Sequence, residues 1–273
     1  MTLEKLREAN IGTIKLREQD AVSRKYLPKI KKFFRHQNIL FQRQFKSYKN
    51  YFPENKKQTA FCLKLIEQDR QFTLSDFDRT WKGVEIETTD QLQVLIYSIE
   101  SEALLKGGQV AQRLFVPEAG GSFDLDNPRA LAWYAQHATD LSYIGSIQKT
   151  TQDRIKTIIL KAIDEGWSYN QTSKIISERF KSFTRERAQL IATHEAAQAY
   201  EAGNRIFIDN MADTGIVFEK IWQNSRDDKV TPECRENTAD GWIPLDQVHT
   251  SGDQNPPRFP GCRCYENYRK KKK

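Results

Sequence analysis

The stretch DRIKTIILKAIDEGWSYNQTSKIISERF, residues 153–180, decides the reading of the fold. Ile155, Ile158, Ile159, Ala162 and Ile163 recur at three- and four-residue spacing, which puts them on one side of a helix. Gly166 stands where a glycine closes a helix, since it adopts the left-handed turn without a Cβ penalty. Ser168 followed three residues later by Gln171 has the form of a capping box and opens a second helix with Ile175, Ile176 and Phe180. Downstream, Thr184 is placed to cap a further helix. There Ala188, Ile191, Ala192, Ala196 and Ala199 make a small apolar stripe that lets a neighbouring helix approach closely, and Gly203 marks its end.

Upstream the same pattern continues. Asn127-Pro128 reads as a helix start, a capping side chain followed by proline at the first helical position. Residues 117–127, with Gly120-Gly121-Ser122, read as a linker. Asp90 to Leu105 reads as a helix stopped by Gly107-Gly108. Lys31 to Tyr51 reads as another, bracketed by Pro28 and Pro53, with Phe34, Phe41, Phe45, Tyr48 and Phe52 at roughly helical spacing. Those aromatics suit a buried helix face first and base stacking second. Past Asn210, Ile216 to Gln223 alternates as a strand does, with Phe218, Lys220 and Trp222 on one face, and Asp240-Gly241 signals a turn. The fold expected is mainly α with a small C-terminal β-hairpin subdomain (α+β), in three regions: 1–120, 121–210 and 211–273.

Charge is unevenly placed along the 273 residues. Eleven Lys and Arg stand against the single acid Glu54 between Arg24 and Lys57, and Arg269 to Lys273 is wholly basic. With a total of +7, the remainder is net acidic. Basic clusters of this kind favour a polyanion. Lys29, Lys31, Lys32, Arg35, Arg43, Lys46 and Lys49 are the nucleic-acid-binding candidates, with a solvated helix face as the plain alternative. The longest charge-free runs are around ten residues (Ala130 to Thr139), too short to span a bilayer, so no membrane partner is expected. No basic-then-apolar leader opens the sequence, which argues against secretion and against a disulfide framework for Cys62, Cys234, Cys262 and Cys264.

Neither a phosphate-cradling GxxxxGK[ST] loop nor GxGxxG occurs. His194-Glu195 is half of a zinc-binding HExxH, but Gln198 occupies the second histidine position. Glu195 on an alanine-rich side reads as a buried carboxylate held by Arg or backbone N–H groups. Cys234, His249, Cys262 and Cys264 form the most site-like set, since three thiols and an imidazole can hold Zn²⁺ tetrahedrally. The single residue between Cys262 and Cys264 is short for a ligand pair, and buried thiols are the alternative.

In order, Arg187-Ala188, Ile191-Ala192-Thr193-His194-Glu195, Gly203, Lys220-Ile221-Trp222, Asp227-Asp228, Asp240-Gly241, Pro256-Pro257 and Cys262-Arg263-Cys264 resemble the phage Mu protein F-like family of head morphogenesis (minor capsid) proteins, over about Asp126 to Tyr268. The resemblance makes 121–210 the helical part of the family domain and 211–273 its β and loop part. It marks Arg187, Glu195, Trp222, Asp227, Gly241 and Cys262 as the family-motif structural residues. Thr231 and Phe259 stand where potential metal ligands of the family often stand. The resemblance implies a non-enzymatic minor head protein that associates with the portal and with capsid or scaffold proteins during procapsid assembly. Some members of the family influence DNA packaging or delivery, and the basic segment and tail fit a non-specific contact with packaged or ejected double-stranded DNA. The protein would lie in the virion, at the capsid interior or portal vertex, and in the host cytoplasm during assembly. The competing reading is a metal-dependent nuclease or toxin-like enzyme centred on Glu195, Asp227 and the cysteines. No cofactor beyond a zinc ion is expected.

Overall fold

The computed structural model describes residues 3–53, 71–119, 122–138, 141–225 and 230–271. In chain order the elements are α1 (Leu3–Phe45), a 3-10 segment (Lys46–Tyr51), α2 (Leu74–Phe115), α3 (Pro128–Ala138), α4 (Leu141–Asp164), α5 (Tyr169–Ala212), β1 (Phe218–Gln223), α6 (Pro232–Ala239), β2 (Ile243–Pro244) and β3 (Tyr265–Lys270). The architecture is mainly α with a small antiparallel sheet near the C-terminus, the class read from the sequence.

The chain forms two compact units that interleave along the sequence. One comprises residues 1–28, 96–139 and 189–273, the other 29–95 and 140–188. In the second unit the aromatic stripe of α1 is core. Phe41, Phe45 and Phe52 pack with Phe72, Phe77 and Trp81, and with Ile155, Ile159, Ile176 and Phe180. Full burial of each such side chain is worth about 1.5–3 kcal/mol. The rings are therefore closed to nucleic-acid bases. Gly166, at φ +62°, ends α4, and the Ser168 hydroxyl accepts from the Gln171 N–H at 3.3 Å to open α5, as the sequence signals require.

Four expected breaks are not breaks. Pro28 lies inside α1, flanked on the buried face by Tyr26 and Ile30, so packing on both sides outweighs the backbone hydrogen bond that proline removes. Thr184 sits within α5 and donates its hydroxyl to the Phe180 carbonyl one turn back. Gly107-Gly108 lie inside α2 and Gly203 inside α5. Their role is close approach in the first unit. A Cβ on Gly107 would fall on the Tyr200 carbonyl of α5, and one on Gly203 would fall on the Leu104 carbonyl of α2. The two helices thus cross at a reciprocal glycine notch, with Gly108 against the Phe123 ring. Asn127, by contrast, caps α3 as read, its Oδ1 accepting from the Arg129 N–H at 3.0 Å.

The expected hairpin is a three-stranded sheet of order β2-β1-β3, all antiparallel, with Phe218 opposite Lys270 and Gln223 opposite Tyr265. Where long loops are expected, α6 is added. Thr231 is its N-cap, Pro232 follows, and Glu233 lies in the first turn.

Candidate functional site

The central strand β1 carries Trp222, which is fully buried and forms the wall of a small cluster with Cys234, Cys262 and Cys264. Cys234 comes from the first turn of α6, where the capping Thr231 hydroxyl accepts from its N–H at 3.4 Å. The other two thiols come from the turn that follows Phe259, with Gly261 at φ +94° and the Cys262 N–H donating to the Phe259 carbonyl at 3.0 Å. All three sulfurs lie within 4.8 Å of one another, the one group suited to a metal among the described residues. Hydrogen bonds from the Cys264 thiol and backbone hold Cys262 down to about 6, while the same contact and burial push Cys264 up. Burial raises Cys234. One thiolate shared among three sulfurs is a soft, charge-concentrating donor set. The cavity beside it, also lined by Ser225, Val230 and Thr231, holds only about 10 Å³. That is room for one ion or water and for no organic substrate.

His249 does not join the cysteines. Its Nδ1 meets Asp240 Oδ2 at 3.2 Å and its Nε2 meets Glu266 Oε1 at 3.0 Å, so both ring nitrogens are engaged. The ring stands edge-on to Trp222, centroids 5.2 Å apart. Glu266 continues a buried polar network that composition does not reveal. Its carboxylate also faces Lys220 at 3.6 Å and accepts from the Tyr268 hydroxyl at 2.8 Å. Lys15 of α1 reaches the Glu266 carbonyl and, at 3.1 Å, the Glu201 carboxylate, which also accepts from Gln19 at 2.9 Å. Lys15 and Glu201 are both fully buried. Desolvation lowers the first and raises the second against their mutual attraction. The network joins α1, α5 and the sheet within one unit, and its members are indistinguishable in sequence from solvated charges.

The remaining family-motif residues are also fold builders. Arg187 donates to Thr151 Oγ1 at 2.6 Å and to the Ile147 carbonyl at 2.8 Å, with its guanidinium over the Phe34 ring. Glu195, 2% exposed, hydrogen-bonds the carboxyl of Glu100 on α2. Burial, and then the Glu195 charge, push Glu100 up to about 8, so the pair shares a proton at neutral pH. This partner, 95 residues earlier in the chain and on another helix, is not legible from any local pattern. Next to it, His194 is lowered by burial. Gly241 takes φ +69° after α6. Asp227 and Cys62 lie outside the described residues, as do Gly120, Gly121 and the last two lysines.

The basic candidates lie on outer faces. Lys29, Lys32, Arg35, Arg43, Lys46 and Lys49 are exposed and Lys31 is half-buried. Arg43 pairs with Glu87 at 3.1 Å. Among the described residues no helix is long and apolar enough to cross a membrane.

A small helical and sheet module built around buried motif residues and a thiol cluster defines the class of the C-terminal half. Residues 153–266, from within α4 to the start of β3, match the family model described as Phage Mu protein F like protein. The searches of curated proteins and of solved structures found no match.

Proposed function

We propose that the protein is a phage minor head protein that acts in head morphogenesis as a structural component, associating with the portal and with capsid or scaffold proteins while the procapsid forms. The match of residues 153–266 to the Mu protein F-like family carries this reading. The burial of Arg187, Glu195, Trp222 and Cys262, and the cavity of only about 10 Å³ beside Cys262, support a structural rather than a catalytic role. Its place would be the virion, at the capsid interior or portal vertex. The exposed bases of α1 support a contact with packaged or ejected DNA.

The thiol cluster belongs to the same structural reading. Cys234, Cys262 and Cys264 would hold a zinc ion as a clip between α6 and the turn before β3, with the fourth position left to a small ligand such as water. Co-expression with the portal protein of the same phage tests the main proposal. The chain is expected to co-sediment with portal rings and procapsids, and its absence from procapsids and virions alike would overturn it.

A further inference from the structure

In the second unit, one stripe of α1 faces one stripe of α5. Lys31, Arg35 and Asn38 follow one another at four- and three-residue spacing, and Lys181, Thr184 and Arg185 share a face of α5. Together they line a groove of about 240 Å³ over the buried Phe180 ring. No carboxylate lines it. Among the described residues none of the four cations is held in an ion pair, whereas Lys25, Arg43 and Lys156 have Glu102, Glu87 and Asp78 as partners. The Asn38 Oδ1 is buried without a hydrogen-bond partner, and rotation of the amide would present its NH₂ instead. The walls are fixed: Gln42 donates to the Ser173 carbonyl and to the Ser177 hydroxyl at 3.1 Å, tying α1 to α5 just beyond the groove.

Four unneutralised like charges around one concavity repel each other and concentrate positive potential, a cost that a bound anion removes. We propose that this groove seats the phosphodiester backbone of double-stranded nucleic acid, with Lys31, Arg35, Lys181 and Arg185 as the phosphate contacts. The proposal rests on the DNA-contact part of the reading above for its choice of polyanion. A duplex is favoured over a free phosphate because exposed Lys46 and Lys49 extend the row along α1 and the 3-10 segment. Lys31 to Lys46 spans about 22 Å at the helical rise, several phosphates of a duplex. Lys181 and Arg185 lie more than a hundred residues from the basic segment, so only the fold brings them to it.

The test is anisotropy of a labelled short duplex titrated with the full-length chain over a salt series. The wild type is expected to bind at low salt with log K falling linearly against log salt. Lys181→Gln with Arg185→Gln is expected to weaken binding at least tenfold at low salt and to reduce that slope by about two. Lys174→Gln with Arg179→Gln, which removes equal charge from exposed positions of α5 off the groove, is expected to change both far less. Circular dichroism checks folding, and Lys31→Gln with Arg35→Gln repeats the test from the other wall. Equal slopes for groove and control variants, or no duplex binding by the wild type at low salt, would overturn the proposal. Inorganic phosphate that binds without competing with duplex would reduce the groove to a small-anion site. Portal capture lost in the groove variant, with no duplex bound by the wild type, would make it a protein-docking face. A chain that binds duplex but never enters heads would refute the head-protein reading and leave the groove standing.

Discussion

Gly203→Ala is the sharpest probe of the packing in the first unit. In an open helix position, exchanging glycine for alanine stabilises by about 1 kcal/mol, through helix propensity and the entropy of the unfolded chain. At Gly203 the added Cβ would overlap the Leu104 carbonyl oxygen and lie 2.9 Å from both the Leu104 carbonyl carbon and the Gly108 nitrogen. These are backbone atoms of α2, so no rotamer change relieves the overlap, and the two helices must separate. Overpacking of this kind costs about 1–3 kcal/mol or more, which exceeds the propensity gain. Gly145, the fifth residue of α4, is the internal control, since a Cβ there meets nothing within 4 Å. Urea titrations followed by circular dichroism should therefore show Gly145→Ala stabilised or unchanged and Gly203→Ala destabilised by about 2 kcal/mol. Gly107→Ala should lose a similar amount, and the double variant should lose less than the sum, because one separation of the helices accommodates both methyl groups. A Gly203→Ala protein as stable as the wild type would refute the notch.

Three further outcomes are expected. Because Glu100 is raised to about 8 in the folded protein, the folded state keeps a proton that the unfolded chain loses near pH 4.5, so stability falls as pH rises between those values. Glu100→Gln should flatten that slope relative to wild type in urea midpoints at acid, neutral and alkaline pH, and an unchanged slope would contradict the shared proton. Lys15→Met should destabilise by about 3–5 kcal/mol in the same assay, since Glu201 is left buried without its cation; a neutral effect would mean that Gln19 and the Glu266 N–H suffice. For the thiol cluster, zinc added to chelator-treated protein should bind one ion per chain and raise the melting temperature, and Cys262→Ser should abolish both. A folded wild type that takes up no zinc would leave the cysteines as plain core.

Signals that act within one turn were legible in the sequence, because their partners are a few residues away. Asn127-Pro128, Gly166 and Ser168 are such cases, and so is the strand around Trp222. The convergence of Cys234 with Cys262 and Cys264 followed from their crowding into the last forty residues. Breaker residues misled where a distant helix decides their role. Gly107 and Gly203 are small because another backbone passes there, and Pro28 is tolerated because the turns on either side are buried. The T-P-E start of α6 was there to be read, a capping threonine, a first-turn proline and an acid at the positive helix end. His249 looked like a fourth ligand because imidazole beside three thiols suits zinc, yet Asp240 and Glu266 hold it from both sides. Lys15, Lys220 and Glu201 carry no local sign of their burial, since nothing local separates a buried ion pair from a solvated one. The same blindness hid Lys181 and Arg185, which join the basic segment only through the pairing of α1 with α5.

The most direct measurement is the protein content of heads assembled with and without this gene product. Quantitative mass spectrometry of purified procapsids and virions should find the chain in few copies, co-purifying with the portal after the shell is dissociated. Its consistent absence from both particles, in infections where it is expressed, would contradict a role as a structural component of the head.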